Sequence, residues 1–194
     1  MTFHNELDQT QSLILVTGSA RSGKSEWAEQ LAAQSGKRVH YVATAQIDVT
    51  DQEWQDRIAQ HQQRRPSNWQ TLHVPIDLNS VLVAATTSDC LLIDSLGTWL
   101  ANLLEQDELT WQQTSQALLH QLRQTKAQVI LVAEETGWGV VPAYPLGRKF
   151  RDRLGQLIRQ LGAIADPVYL IAGGHVLNLS QLGTPLSAVA PRTV

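Results

Sequence analysis

Leu13-Ile14-Leu15-Val16-Thr17-Gly18-Ser19-Ala20-Arg21-Ser22-Gly23-Lys24-Ser25 runs from an apolar tetrapeptide straight into a glycine-bounded loop that ends in Lys-Ser. The apolar run closed by Thr17-Gly18 reads as a buried strand. Ser25 to Ser35 reads as a helix with Trp27, Ala28 and Leu31 inward, ended by Gly36. Strand, glycine loop and helix in that order define a phosphate loop. The glycines let successive backbone N–H groups turn inward, and the helix start adds its positive dipole end. Lys24 is expected to reach the β and γ phosphates of ATP or GTP, and the Ser25 hydroxyl to bind Mg²⁺. Gly18, Ser19, Ala20, Arg21, Ser22 and Gly23 complete the nucleotide-binding loop.

Outward from that loop, apolar runs alternate with helical periodicity. Val39 to Ala43, Leu91 to Asp94, Val129 to Ala133 and Val168 to Ala172 read as strands. Asp51 to Arg64, Gly97 to Leu104, Trp111 to Thr125 and Phe150 to Ala163 read as helices, with Pro66 stopping the first. Gly137 to Gly147 reads as a long loop. The alternation predicts an α/β fold of the P-loop type, a mainly parallel sheet with helices on both faces. Ligands of such sheets bind outside the carboxyl ends of the strands. Gly18, Ala43-Thr44, Asp94 and Glu134-Glu135 all fall at strand exits. Asp94, closing Leu91-Leu92-Ile93, suits a carboxylate that holds Mg²⁺ directly or through water.

Composition narrows the function classes. The chain has 194 residues, enough for one α/β domain with a sizeable core. The expected division is a loose tail over 1–12, one catalytic domain over 13–180 and a C-terminal tail over 181–194. A net charge of −3 argues against a broad nucleic-acid surface. Cys90 is the one cysteine, so neither an internal disulfide nor a multi-cysteine metal site is available. The polar start lacks the pattern of a secretion signal, and no apolar run nears the ~20 residues of a membrane span. A cytoplasmic protein is expected.

Arg57, His61, Arg64 and Arg65 recur at helical spacing and project from one side of the second predicted helix. Like charges so placed repel one another, and a bound phosphate reverses that cost. A solvated basic face with an incidental histidine is the competing reading.

These segments together resemble the bifunctional adenosylcobinamide kinase / adenosylcobinamide-phosphate guanylyltransferase family of cobalamin assembly. The resemblance is carried by the phosphate loop, Tyr41-Val42-Ala43-Thr44-Ala45, Arg57-Ile58-x-x-His61-x-x-Arg64-Arg65-Pro66, and Asp94-Ser95-Leu96-x-x-Trp99-Leu100-x-Asn102. Glu135-x-Gly137-x-Gly139-Val140-Val141-Pro142 and Gly147-Arg148-x-Phe150-Arg151-Asp152-x-x-Gly155 extend it to most of the chain. It implies phosphorylation of adenosylcobinamide by ATP or GTP. Transfer of GMP from GTP to that phosphate follows, through a guanylylated histidine that maps onto His61. It further implies nucleotide contacts from Ala43, Thr44, Ala45, Gln62, Arg64, Arg65, His73 and Asp94. Arg57, Glu135 and Trp138 fall to the corrinoid side, and a homo-oligomer, in trimeric form, is implied. Glu134 stands where the family usually has Asn, Thr136 where it has Val, and His73 where Glu is common. The rival readings are a guanylyltransferase alone, a generic P-loop kinase that leaves His61 idle, and a GTP-gated regulator that transfers nothing. Glu135 and Asp94 are the candidates for the kinase base.

Overall fold

A computed structural model describes residues 12–46 and 65–186. The predicted helix over 51–64 and most of the N-terminal tail lie outside them. The strands are β1 Leu13–Gly18, β2 Arg38–Ala43, β3 Gln70–His73, β4 Asp89–Asp94, β5 Gln128–Glu134, β6 Val168–Ala172 and β7 His175–Asn178. The helices are α1 Lys24–Gln34, α2 Leu78–Ala84, α3 Leu96–Asn102, α4 Glu108–Gln124, α5 Pro145–Gly162 and α6 Leu179–Leu182. One seven-stranded sheet runs in the order β3-β2-β4-β5-β1-β6-β7. Every pairing is parallel except that of β6 with β7.

The central strands are apolar on both faces, as a covered parallel sheet requires. Successive side chains point to opposite faces, and the core divides accordingly. Leu13, Leu15, Leu91, Ile93, Val129 and Leu131 pack with Leu78, Leu82, Trp99, Leu118, Leu154 and Leu157 from α2 to α5. Ile14, Val16, Cys90, Leu92, Ile130 and Val132 pack with Ala28, Leu31 and Ala32 of α1. The mainly parallel α/β architecture is thus the one expected from the alternation.

Four elements, β3, α2, β7 and α6, go beyond the sequence reading. β3 is a half-exposed polar edge strand, Gln-Thr-Leu-His, without the apolar run of a central strand. α2 has seven residues, of which Leu78 and Leu82 are buried, too short for helical periodicity to register. β7 follows Val168 to Ala172, returning antiparallel after Gly173 and Gly174. α5 begins at Pro145 rather than Phe150, because proline suits the first helical position. The segment 137–147 is shortened as a loop by that start. α6 straddles the expected boundary at residue 180.

α5 also fastens the turn between α3 and α4. The Gln106 carbonyl accepts from Lys149 Nζ at 2.9 Å and from Arg153 Nη2 at 3.0 Å. Arg153 is buried, pairs with Glu108 at 3.3 Å and lies over the Trp111 ring.

At the opposite end of the sheet from the phosphate loop, Asp89 is buried at the start of β4. It accepts from Thr86 N and Oγ1, from Arg38 Nε at 2.8 Å and contacts His40 Nε2 at 3.1 Å. Burial opposes its ionisation. The Thr86, Arg38 and His40 contacts outweigh that and hold the carboxyl well below the usual carboxylate range. A depressed folded-state value stabilises the fold above the unfolded value of about 3.9 and fades as pH falls further. Asp89→Asn is therefore expected to cost about 2 kcal/mol at pH 7. Urea unfolding of both proteins at pH 7 and at pH 3 checks this, with the gap narrowing at the lower pH.

Candidate active site

The parallel registers bring the chemically active strand ends to one edge. Gly18 pairs with Glu134 and Ile171, and Ala43 pairs with Asp94 and His73. β5 therefore sits between the phosphate-loop strand and the strand that carries Asp94.

The loop itself turns on Gly23, whose φ of 94° is a left-handed conformation that glycine adopts without strain. That residue caps α1, so the helix starts at Lys24 with its first N–H groups facing the loop. Lys24 is buried, and its Nζ donates over a long 3.4 Å to the Ser19 carbonyl. Ser22 Oγ is buried with no hydrogen-bond partner among the described residues. A buried ammonium with one long hydrogen bond, set at a helix start whose first N–H groups face the loop, fits a polyanion that supplies further partners.

Tyr41 donates to Asp94 Oδ2 at 2.8 Å. Burial, the Asp94 charge and this hydrogen bond push the Tyr41 hydroxyl far above its usual range, against the opposing pull of Arg65, so it stays a donor. The Arg65 guanidinium lies 3.2 Å from the centroid of the Tyr41 ring and donates to Thr71 Oγ1 at 3.3 Å. Its Nε is buried and without a hydrogen-bond partner among the described residues. Thr44 is fully buried; its hydroxyl donates to the Ser95 carbonyl at 2.7 Å and accepts from Ser95 N at 3.0 Å. Asn102 donates to the Thr44 carbonyl, and Ala45 follows at the open edge. Glu135 accepts from Thr17 Oγ1 at 2.8 Å. His73 is exposed at the end of β3, and Trp138 is exposed on the segment after β5. Arg57, His61, Gln62 and Arg64 lie outside the described residues.

Glu134 is the site residue that sequence reasoning passed over in favour of its neighbour. Its carboxylate accepts from Gly97 N at 3.0 Å. Burial raises its protonation point and the Asp94 charge adds to that, while the Ser95 hydroxyl and the Lys24 ammonium work against it. The signal available in the sequence was a carboxylate at an apolar strand's exit. Its partner Gly97 lies 37 residues away, and only the fold brings the two together. A Cβ on Gly97 would collide with the Glu134 carboxylate. Gly97→Ala is expected to retain the fold, push Glu134 off its backbone donor and weaken GTP binding roughly tenfold, the scale of one charge-assisted hydrogen bond. Calorimetric titration with GTP measures it; unchanged affinity would remove Glu134 from the site.

Among the described residues no group of three or more His, Cys, Asp or Glu is placed to hold a metal. Asp94 and Ser25 nonetheless suit Mg²⁺, which is commonly held by one or two protein oxygens together with nucleotide phosphates.

Fold and site together define a phosphate-loop α/β enzyme that uses nucleoside triphosphates. The sequence matches the family described as cobinamide kinase / cobinamide phosphate guanyltransferase over residues 14–179, and the chain belongs to that family. It is a transferase of cobalamin biosynthesis, in a family that carries both activities. The chain is similar to the bifunctional adenosylcobalamin biosynthesis protein CobP of Pseudomonas aeruginosa, 42% identical over 89% of this chain and 98% of that protein. It is also similar to the CobU proteins of Salmonella typhimurium and Escherichia coli, at 36% and 37% identity, each over 84% of this chain and 96% of the relative. The RadB recombinase crystal structure aligns with a TM-score of 0.42 and 14% identity, over 82% of this chain and 74% of that one. Among the described residues no helix is long and apolar enough to cross a membrane.

Proposed function

We propose that this chain phosphorylates the aminopropanol hydroxyl of adenosylcobinamide with ATP or GTP. It then transfers GMP from GTP to the new phosphate through a covalent His61 intermediate. The observation that supports this most directly is the loop cradle, with Lys24 buried at the start of α1 and Glu134 and Asp94 alongside. In the second reaction an imidazole nitrogen attacks the α-phosphorus of GTP, and pyrophosphate leaves with the electrons of the broken P–O bond. The corrinoid phosphate then displaces the histidine nitrogen, giving adenosylcobinamide-GDP. Splitting one displacement into two is the usual gain of a covalent intermediate.

Lys24, Arg64 and Arg65 neutralise charge on the phosphoryl oxygens. Ser25 and Asp94 would hold Mg²⁺, which supplies further charge neutralisation when bound with the nucleotide. Gln62, Ala43, Ala45 and His73 border the nucleotide in this reading, Arg57 and Glu135 lie toward the corrinoid, and the Thr44 hydroxyl holds Ser95 in place. Trp138, Val140, Val141 and Tyr144 offer exposed apolar surface after β5, suited to a bulky corrinoid. Cytoplasmic location and a homotrimeric assembly belong to the same proposal, on the family resemblance.

Assays with adenosylcobinamide, ATP, GTP and Mg²⁺ test the reading. Adenosylcobinamide phosphate should accumulate when ATP is the sole nucleotide, and adenosylcobinamide-GDP when GTP is added. No product from either adenosylcobinamide or its phosphate would defeat it.

A further inference from the structure

Tyr41 joins two parts of the candidate site. It lies on β2 in register with Leu92 on β4, two residues before the Ala43–Asp94 pair that ends both strands. Tyr41 and Leu92 pack in the core cluster on the α1 face of the sheet. Side chains two residues apart along a strand share a face, so Asp94 lies on that face too. Two residues of strand span about 7 Å, a gap that a tyrosine side chain bridges. The hydroxyl accordingly donates to Asp94 Oδ2 at 2.8 Å. For packing alone a phenylalanine would serve, since a buried hydroxyl costs free energy unless it is hydrogen-bonded. With Oδ2 engaged, the Asp94 carboxylate is no longer free to rotate, and its Oδ1 is held in one direction.

The ring of Tyr41 has a second neighbour. After Arg65 the chain turns, with Trp69 N donating to the Pro66 carbonyl at 3.1 Å, and enters β3. β3 pairs with β2 so that Thr71 stands beside Tyr41. The Arg65 guanidinium lies across both residues, 3.2 Å from the centroid of the Tyr41 ring and bonded through Nη1 to Thr71 Oγ1 at 3.3 Å. A guanidinium held over an aromatic face and tied at one nitrogen has given up much of its rotamer freedom before any ligand arrives. His61 stands four residues earlier in the chain.

We infer that Tyr41 is a positioning residue for both reactions, its hydroxyl orienting the Asp94 carboxylate and its ring seating the Arg65 guanidinium. The inference rests on the function proposed above, in which Asp94 would hold Mg²⁺ and Arg65 neutralises phosphoryl charge. Tyr41 acts through these two side chains and takes no part in bond making. Carboxylates that ligate metals are commonly oriented by a hydrogen bond from a neighbour, and losing that neighbour costs about ten- to a hundredfold in metal affinity. The two roles are separable, because phenylalanine keeps the ring without the hydroxyl and leucine keeps neither.

The full chain carrying Tyr41→Phe, Tyr41→Leu or Arg65→Lys tests this, each variant paired with a thermal melt. Calorimetric titration with GTP, over a series of Mg²⁺ concentrations and in EDTA, reads the hydroxyl without turnover. Tyr41→Phe should raise the Mg²⁺ concentration that gives half of the Mg²⁺-dependent gain in GTP affinity by about tenfold, with affinity in EDTA unchanged. Labelling by α-labelled GTP at saturating Mg²⁺ reads the ring. Tyr41→Phe should be labelled at close to the natural rate, and Tyr41→Leu about tenfold more slowly. Arg65→Lys keeps the charge but loses the planar fork. It should show the slowed labelling with a natural Mg²⁺ dependence, and it carries this arm if Tyr41→Leu does not fold. An unchanged Mg²⁺ dependence in folded Tyr41→Phe overturns the hydroxyl's role. So does an equal loss of GTP affinity with and without Mg²⁺, which would mark Tyr41 as structural. A natural labelling rate in folded Tyr41→Leu or in Arg65→Lys overturns the ring's role. If the natural chain is neither labelled nor active on either corrinoid, the proposed function fails, and the calorimetry still decides the hydroxyl's role.

Discussion

Lys24→Ala is expected to abolish both transfer activities and to lower affinity for ATP and GTP by two orders of magnitude or more. Lys24 is buried, and among the described residues its ammonium makes one hydrogen bond, a long one of 3.4 Å to the carbonyl of Ser19, with the Glu134 carboxylate also acting on it. A buried charge with so little compensation is costly in the free protein, and a nucleotide's phosphates relieve that cost. Each charge-assisted hydrogen bond contributes about 1.5–3 kcal/mol, so losing contacts to two phosphates removes most of the binding and further stabilisation of the transition state. The fold should survive. Position 24 is the first residue of α1, alanine is the strongest helix former, and removing a poorly paired buried ammonium leaves the melting temperature unchanged or slightly raised. Calorimetric titration with GTP, activity assays and a thermal melt measure these three effects together. Near-normal turnover by a folded Lys24→Ala protein would refute the assignment of the loop. Lys24→Arg retains the charge on a longer planar fork that does not match the same cradle, and it should recover little.

The strand, loop and helix of the candidate phosphate site were legible because their determinants are local. The strand, Gly18 to Ser25 and α1 are contiguous, and the type of each residue expresses its task. Asp94 was legible for the same reason, as a carboxylate ending an apolar run. What escaped depends on distant neighbours. Glu134 and Glu135 are adjacent carboxylates at one strand exit. Only the packing of α3 against β5 decides that Glu134 receives the Gly97 N–H while Glu135 receives the Thr17 hydroxyl. The Thr44–Ser95 and Asn102–Thr44 bonds likewise join segments 51 and 58 residues apart. β3 and β7 escaped because edge strands need bury little, and their polar or exposed residues lack the alternation that a half-buried strand shows. Arg65 was grouped by spacing with Arg57, His61 and Arg64. The fold adds what spacing does not carry, a guanidinium stacked on Tyr41 whose hydroxyl binds Asp94.

His61→Asn is expected to eliminate covalent labelling by α-labelled GTP and the formation of adenosylcobinamide-GDP, while leaving the kinase step in place. Phosphorylating the aminopropanol hydroxyl transfers a γ-phosphoryl group directly and needs no histidine intermediate. GMP transfer by the proposed route has no nucleophile once the imidazole is gone. The attacking nitrogen must carry its lone pair, so labelling requires the neutral form of the imidazole. The bond formed should have the character of a phosphoramidate, stable in alkali and broken in mild acid, because protonated imidazole is a good leaving group. A phosphate ester on Ser22 or Ser25 would survive the acid, so the same gel separates the three side chains. Lys24→Ala should also remain unlabelled, although its histidine is intact, because the α-phosphorus is no longer held for attack. If His61→Asn is still labelled, or makes adenosylcobinamide-GDP at an undiminished rate, the covalent route is wrong. The arginines at 57, 64 and 65 then serve only to bind phosphate, and the transfer proceeds by direct attack of the corrinoid phosphate on GTP.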